Sequence, residues 1–352
     1  MGNRNSNPSL SNVTDFQEDL LSWYKKAQRV LPWRTSPTAY KTVVSEFMLQ
    51  QTQVTTVLPY FERWMARFPT FKALAQSDET TVLKHWEGLG YYSRARNLYK
   101  LAKEMVKREG LPKTTPEWLA YKGIGPYTAA AIASIAFNQP AAVVDGNVIR
   151  LLSRLTADRT AFKDNGAAFK TFTPLAESLI NKEEPGDHNQ AMMELGATLC
   201  TKANPLCTVC PVSKYCAAGK QGDPEHYPHL QRKKTTQHAI NRAWFTEKGK
   251  LLLHKKTETA KRLADLFELP VCEDLLSEST GKMGKLLLKK KRGISNQRIE
   301  ESIYEVLATP DLLKRAEKDP DYYWASKDTL EVITLSGPHR RWIEELQGRK
   351  LV

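Results

Sequence analysis

Cys200, Cys207, Cys210 and Cys216 form a C-x6-C-x2-C-x5-C run inside seventeen residues, and Cys272 is the one other cysteine in a 352-residue chain. Thiols this concentrated gather on one inorganic centre rather than scatter through a core, and that centre dictates how the surrounding loop folds. Disulfides would need an oxidising compartment, yet Met1 to Asn12 is Asn- and Ser-rich without an apolar signal core. No stretch approaches the roughly 18 apolar residues of a membrane span. The expectation is therefore a cytoplasmic protein with no membrane partner. Four thiolates also suit tetrahedral zinc, but zinc is commonly held by two C-x2-4-C pairs, whereas here one loop supplies three ligands and a helix end the first. Spacing alone leaves a 4Fe–4S cluster and zinc both open, with the cluster ahead.

Two further segments carry chemistry. In Leu119-Ala-Tyr-Lys-Gly-Ile-Gly-Pro-Tyr-Thr-Ala-Ala-Ala-Ile132, Gly123 and Gly125 punctuate a short turn. Pro126 suits the first position of a new helix, and the Ala-rich stretch from Thr128 to Ala136 favours helix. Free backbone N–H groups at such a helix start can face a phosphate; an ordinary corner between core helices is the alternative. The other segment is Ser45-Glu-Phe-Met-Leu-Gln-Gln-Thr-Gln-Val54, preceded by Leu31-Pro-Trp-Arg34 and followed by Trp86-Glu-Gly-Leu-Gly-Tyr-Tyr-Ser-Arg-Ala-Arg96. A carboxyl at Glu46 among Val43, Val44, Phe47, Met48 and Leu49 would be desolvated, which raises its pKa toward the range where it can deliver a proton. The plainer alternative puts Glu46 on the solvated face of an amphipathic helix.

Together with Val143-Val-Asp-Gly-Asn-Val-Ile-Arg150, these segments resemble the helix-hairpin-helix DNA glycosylases of the endonuclease III superfamily, and closely the MutY adenine glycosylases. The resemblance is dense over about residues 15 to 220. It implies one 4Fe–4S cluster on the four cysteines, a phosphate-binding hairpin at Lys122, Gly123 and Gly125, and catalysis by Glu46 and Asp145 with Tyr127 and Asn147 in support. Gln190, Arg34 and Trp33 match the adenine pocket, and Gln51, Tyr91 and Leu49 match positions that intercalate or fill the gap at the lesion pair. Superfamily members that also cut the strand carry a Schiff-base lysine after the hairpin glycines. Tyr127 stands there in this chain, so a strong lyase step is not expected.

Lys and Arg total 52 against 39 Asp and Glu, a formal charge of +13, which favours a polyanionic partner and salt-dependent binding. The partner implied by the resemblance is double-stranded DNA holding adenine opposite 8-oxoguanine or guanine, bound by a monomer in a bacterial cytoplasm, associated with the nucleoid. The competing readings are an oxidised-pyrimidine glycosylase with lyase activity and a non-catalytic iron–sulfur DNA-binding protein.

The expected fold is mainly α, a two-module helix-hairpin-helix glycosylase domain followed by a smaller α+β Nudix-like domain. Its boundaries read as a disordered tail over 1–13, a catalytic domain over 14–222 with the cluster loop at 200–216, a linker over 223–236 and a C-terminal domain over 237–352. In that last part Ala243 to His254 reads as a hairpin, Leu330 to Leu335 as a strand, Gln297 to Leu307 as a helix and Lys289-Lys-Lys-Arg292 as a solvated loop. MutY proteins sense 8-oxoguanine through a Phe-Ser-His-like loop. The counterpart here is Thr334-Leu-Ser-Gly-Pro-His339, whose glycine and proline separate Ser336 from His339 and reshape the turn.

Overall fold

The computed structural model describes residues 12–231, 235–255, 266–277, 281–294 and 296–348. Most of the expected tail lies outside them; Asn12 instead caps the first helix, Val13–Ala27, by accepting a hydrogen bond from the Asp15 amide at 3.2 Å. The chain divides into two compact units, one formed by residues up to Gln76 together with Asn97 to Arg232, the other by Ser77 to Arg96 together with Lys233 onward. Sequence reading placed residues 77–96 in the catalytic domain; in the structure they fold with the C-terminal unit.

The first unit is helical. Phe16, Leu20 and Tyr24 of the first helix recur on one face and meet Val148, Leu151, Leu152 and Leu155 of the helix Gly146–Thr156 and Met192 and Leu195 of the helix Pro185–Thr198 in one apolar core. A second contact is built on small residues. The helix Pro126–Phe137 begins with its proline at the first position, as its sequence predicts, and its alanines let the helix Ala39–Leu49 and the helix Pro185–Thr198 approach closely. At the tightest point a Cβ on Gly186 would lie 2.9 Å from the Ser134 carbonyl oxygen. The stripe Leu98, Leu101, Ala102 and Met105 is buried along the helix Ser93–Met105.

Residues 223–231, expected as linker, are packed on this unit. His229–Leu230 pairs in parallel with Ala161–Phe162, and Tyr227 is buried. Residues 232–234 of that expected linker lie outside the described residues.

The second unit is α+β, with two sheets. In one, Gln297–Val306 lies between Thr236–Trp244, to which it is parallel, and Met283–Ile294, to which it is antiparallel. In the other, Lys250–Lys255 pairs with Thr246–Glu247, Phe267–Glu268 and Tyr322–Ala325. The expected hairpin is present, and it turns at Lys248 and Gly249, both in the left-handed region (φ 47° and 75°), which is what a tight two-residue turn requires.

Three local readings are overturned here. Gln297–Val306 is a strand and not a helix, with Ile299, Glu301 and Ile303 buried in alternation. Its glutamates mask the period of two, because Glu301 is buried against Arg242 and Arg292 rather than exposed. Leu330 to Leu335 is not a strand; Lys327–Val332 is a helix, capped by Ser326, whose hydroxyl accepts from the Thr329 amide at 3.2 Å. Leu335 alone bridges to Phe267. Lys289 to Arg292 lies in the strand Met283–Ile294, with its charges paired: Lys289 and Lys291 on Glu300, Lys290 on Glu345 and Arg292 on Glu301.

Candidate active site

The helix Ala39–Leu49 is buried on all sides from Thr42 to Met48, so Glu46 has no route to bulk water along its own helix. Glu46 is 6% exposed, and among the described residues its Oε2 meets no hydrogen-bond donor. Burial pushes its carboxyl up to about 7; a bond from the Tyr127 hydroxyl opposes this, the charge of Asp145 adds to it, and Arg34 opposes it. The solvated-face alternative for Glu46 is excluded. Tyr127, in the first turn of the helix Pro126–Phe137, also points its hydroxyl at Met193 Sδ, 3.5 Å away. A tyrosine hydroxyl has one proton, so Tyr127 can donate to Glu46 or to the sulfur but not to both at once.

Asp145 caps the helix Gly146–Thr156. Its Oδ1 accepts from the Val148 amide at 2.7 Å and its Oδ2 from Asn147 Nδ2 at 3.0 Å. Burial raises its carboxyl pKa, and the two donors and the Arg150 charge hold the rise down. Asn147 is fixed in turn, its Oδ1 accepting from Arg150 at 2.9 Å. A Cβ on Gly196 would lie 2.7 Å from Asn147 Cβ, so glycine there is what allows the helix Pro185–Thr198 to pass.

The helix that presents Asp145 also anchors the cysteine loop. Arg150 donates to the Gly196 and Cys200 carbonyls at 2.7 and 2.8 Å. Arg154, 1% exposed, donates to the carbonyls of Pro224, Thr201 and Lys202 and to Cys200 Sγ at 3.2 Å. The Gly219 amide donates to Cys216 Sγ at 3.3 Å. All four cysteines line one cavity of about 370 Å³, walled by Leu151, Leu155, Leu199 and Val212. Among the described residues no group of three or more His, Cys, Asp or Glu side chains would hold a single metal ion. Burial raises the Cys210 thiol to about 11 and lifts Cys216 as well, so thiolates in this apolar setting need a cationic centre to form.

Glu46, Tyr127 and Asp145 open onto a cavity of about 980 Å³ that also holds Trp33, Arg34 and Gln190. Trp33 is buried edge-on against Phe61, with ring centroids 5.2 Å apart. Arg34 Nε donates to Gln190 Oε1 at 3.0 Å, which commits that oxygen and leaves the amide N–H groups as the donors Gln190 can offer a ligand. Glu194, 1% exposed, fixes Arg34 from behind at 3.0 Å and binds Arg29 at 2.6 and 2.9 Å. Burial works to raise the Glu194 carboxyl; the two arginines overcome it and hold it below its ordinary range. A second cavity, of about 610 Å³, shares Glu46, Leu49, Tyr127 and Asp145 and is bounded by Gln50, Gln51, Gly125 and Pro126. Gln51 is exposed in a left-handed conformation (φ 55°), and Leu49 is half-buried. Gly123 (φ 90°) passes Asn97 so closely that a Cβ would sit 2.6 Å from its Nδ2, and Lys122 is exposed beside it.

Residues 44–174 match the model of the HhH-GPD superfamily of base excision DNA repair proteins. The chain is 47% identical over 223 residues to the adenine DNA glycosylase of Rattus norvegicus, covering 59% of this chain and 42% of that one. It is 37% identical over 249 residues to that of Buchnera aphidicola subsp. Acyrthosiphon pisum, covering 69% and 70%. The chain belongs to the adenine DNA glycosylase family. It spans only 42% of the rat relative and 36% of the Arabidopsis thaliana one. A solved thermostable thymine-DNA glycosylase superposes with a TM-score of 0.52 at 24% identity, over 59% of this chain and 97% of its own, a likeness of fold.

As an adenine DNA glycosylase family member, the chain brings Glu46, Tyr127, Asp145, Asn147, Arg34, Trp33 and Gln190 together around one cavity, as their sequence words imply. Tyr91 belongs to the other unit, where it is 44% exposed and left-handed (φ 48°). Ser336 and His339 are 2% and 1% exposed and face inward. Ser336 Oγ donates to Glu268 at 3.2 Å, and His339 Nδ1 accepts from the Leu269 amide at 3.1 Å, so neither side chain presents itself to a lesion. Sequence reading missed Glu194, Arg29, Arg150, Arg154 and Gly196. Their partners lie up to 165 residues away, beyond any local word, although a buried-looking Glu-Leu-Gly on an apolar helix face was a signal for Glu194 and Gly196.

Proposed function

We propose that the protein removes adenine paired with 8-oxoguanine or guanine in double-stranded DNA by hydrolysing its N-glycosidic bond, acting as a monomer without a strong lyase step. The observation that carries this reading is a buried carboxyl, Glu46, raised to about 7 beside a second carboxyl, Asp145, on one cavity with room for a flipped base. Two carboxyl groups in different settings divide acid and counter-charge between them.

The flipped base enters the cavity against Trp33, where Gln190, oriented by Arg34, donates to an acceptor on its edge. Neutral Glu46 gives its proton to the adenine ring nitrogen N7, so the base departs neutral as the bond from its N9 to the sugar C1′ breaks. The sugar gains oxocarbenium character, which ionised Asp145, held by the Val148 amide and Asn147, stabilises. Water adds to C1′ and gives its proton to a carboxylate, which restores the starting charges. Tyr127 lies within hydrogen-bonding reach of Glu46, favouring its ionised form, and offers no amine for a Schiff base. The exposed turn at Lys122, Gly123 and Gly125 supports a phosphate contact, and Gln51 and Leu49, at the edge of the second cavity, support a role at the gap left in the stack; the exposure of Tyr91 in its own unit suits a base contact. The four cysteines fit a 4Fe–4S cluster, which would supply structural cross-linking of the loop that Arg154 and Arg150 hold.

The test is single-turnover cleavage of duplexes holding adenine opposite 8-oxoguanine, adenine opposite guanine, and thymine glycol opposite adenine, each with and without alkali. Adenine loss with breaks only after alkali is the expected result, and Glu46→Gln should abolish it while lesion-DNA binding persists. Alkali-independent cutting of the thymine glycol duplex would place the activity with the strand-cutting pyrimidine enzymes.

A further inference from the structure

The segment that follows the helix Glu79–Trp86 is awkward to hold. Gly88, Gly90 and Tyr91 are all left-handed, with φ of 102°, 71° and 48°, and tyrosine gains nothing intrinsically from that conformation. Its shape is imposed from two sides. From within, Trp86 Nε1 donates to the Gly90 carbonyl at 3.0 Å, and the buried Arg94 donates to the Leu89 and Gly90 carbonyls at 3.0 and 3.1 Å. The same guanidinium lies 5.3 and 5.5 Å from the Trp86 and Tyr91 ring centroids.

The other side is the stretch from Leu330 to Arg340 in the same unit. Tyr92, next to Tyr91, donates its hydroxyl to the Leu335 carbonyl at 2.8 Å. Arg340 forms a two-pronged pair with Glu87 at 2.5 and 3.2 Å and is itself fixed by the Leu330 and Ile333 carbonyls at 2.6 and 2.9 Å. Lys84 joins the Ile333 carbonyl at 2.9 Å to Glu87 at 3.1 Å. These are the residues flanking Ser336 and His339, whose own side chains are turned inward.

We propose that Leu330–Arg340 is a brace that sets discrimination of the base opposite adenine by positioning the Gly88–Tyr91 loop, with Arg340 and Glu87 as its positioning residues. The inference rests on the adenine-removing function proposed above. Tyr91 is the exposed tip, and Arg340 acts through Glu87 rather than by touching DNA. A brace of this kind affects which opposing base is tolerated without altering the chemistry at Glu46.

The test compares the full-length protein with Arg340→Met, Arg340→Lys, Glu87→Gln and Ser336→Ala, with thermal unfolding measured on each. Binding is read as the ratio of Kd for duplexes with 2′-fluoroadenosine, which resists cleavage, opposite guanine and opposite 8-oxoguanine. Excision is read as the single-turnover rate at saturating enzyme. Arg340→Met and Glu87→Gln should each lower the Kd ratio about tenfold, the value of one charge-assisted hydrogen-bonded pair, with saturating rates on the guanine duplex within about twofold of wild type. Arg340→Lys should recover part of the ratio. Glu87→Gln spares the Arg340 bonds to Leu330 and Ile333, so it reads the brace even if Arg340→Met unfolds the segment. An unmoved ratio in Glu87→Gln would overturn the brace, and a fall in Ser336→Ala alone would return sensing to that serine. Failure of the unaltered protein to release adenine would overturn the functional reading and the brace with it.

Discussion

Glu46 is expensive for the fold and useful for the chemistry, and both follow from one shift. Its carboxyl titrates at about 7 in the folded protein against about 4.5 ordinarily, so the folded state holds a proton that the unfolded chain releases. The sign follows: what Glu46 contributes to stability is present in full below pH 4.5 and is lost as pH rises through 7. Replacing it with glutamine should therefore stabilise the protein at pH 8 by on the order of 3 kcal/mol and barely at pH 4, read by urea unfolding at both values. Equal stability of Glu46→Gln and wild type at pH 8 would mean that the buried carboxyl is not strained. In excision the same group must be neutral, so the single-turnover rate should fall about tenfold per pH unit above 7. Asp145 works the other way. Its carboxyl is raised too, by burial, but it must be ionised to face the sugar cation, so activity is lost on the acid side as it protonates.

At the scale of elements, the helix Gly146–Thr156 carries Asp145 and Asn147 at one end and Arg150 and Arg154, which hold the cysteine loop, toward the other. It keeps that register against the helix Pro185–Thr198 because residue 196 lacks a side chain. Gly196→Ala would place a Cβ 2.7 Å from Asn147 Cβ and 3.2 Å from its backbone, and Asn147 would have to give way. Misplacing a positioning group by a fraction of an ångström to an ångström can cost about a hundredfold in rate, so excision should slow by roughly that factor while DNA binding and cluster absorption hold. A normal excision rate in Gly196→Ala would show that Asn147 has no part in orienting Asp145. The sequence announces Asp145 because a capping aspartate opens an obvious helix, and it announces Pro126–Phe137 through proline and alanine. It conceals elements whose polar residues are buried in pairs. Glu301 makes Gln297–Val306 look like a helix until Arg242 and Arg292 come from other strands to meet it. Val332, Ile333 and Thr334 give Leu330–Leu335 a strand-like composition, but the Ser326 cap and the brace to residues 84–92 decide the outcome. Contacts of that range have no local signature.

For the whole molecule, a formal charge of +13 predicts that DNA binding weakens steeply with salt, yet it does not say which cations act. The most conspicuous basic run, Lys289 to Arg292, is partly neutralised: its four cations lie against three carboxylates, Glu300, Glu301 and Glu345, and Glu301 is shared with Arg242. Lys122 is exposed at the turn before Gly123, next to the amides that open the helix Pro126–Phe137. A lysine that neutralises one phosphate contributes about one to the slope of log affinity against log salt. Lys122→Gln should therefore lower that slope by about one. Changing Lys289, Lys290 and Lys291 together to glutamine should lower it by less than about one, although it removes three formal charges. Titrations of lesion-free duplex across a range of salt concentrations measure both slopes. A loss of about three from the triple variant would mean that DNA displaces those glutamates and uses the strand directly. The same loss would also make the second unit a contributor to general DNA affinity, where the brace assigns it to discrimination.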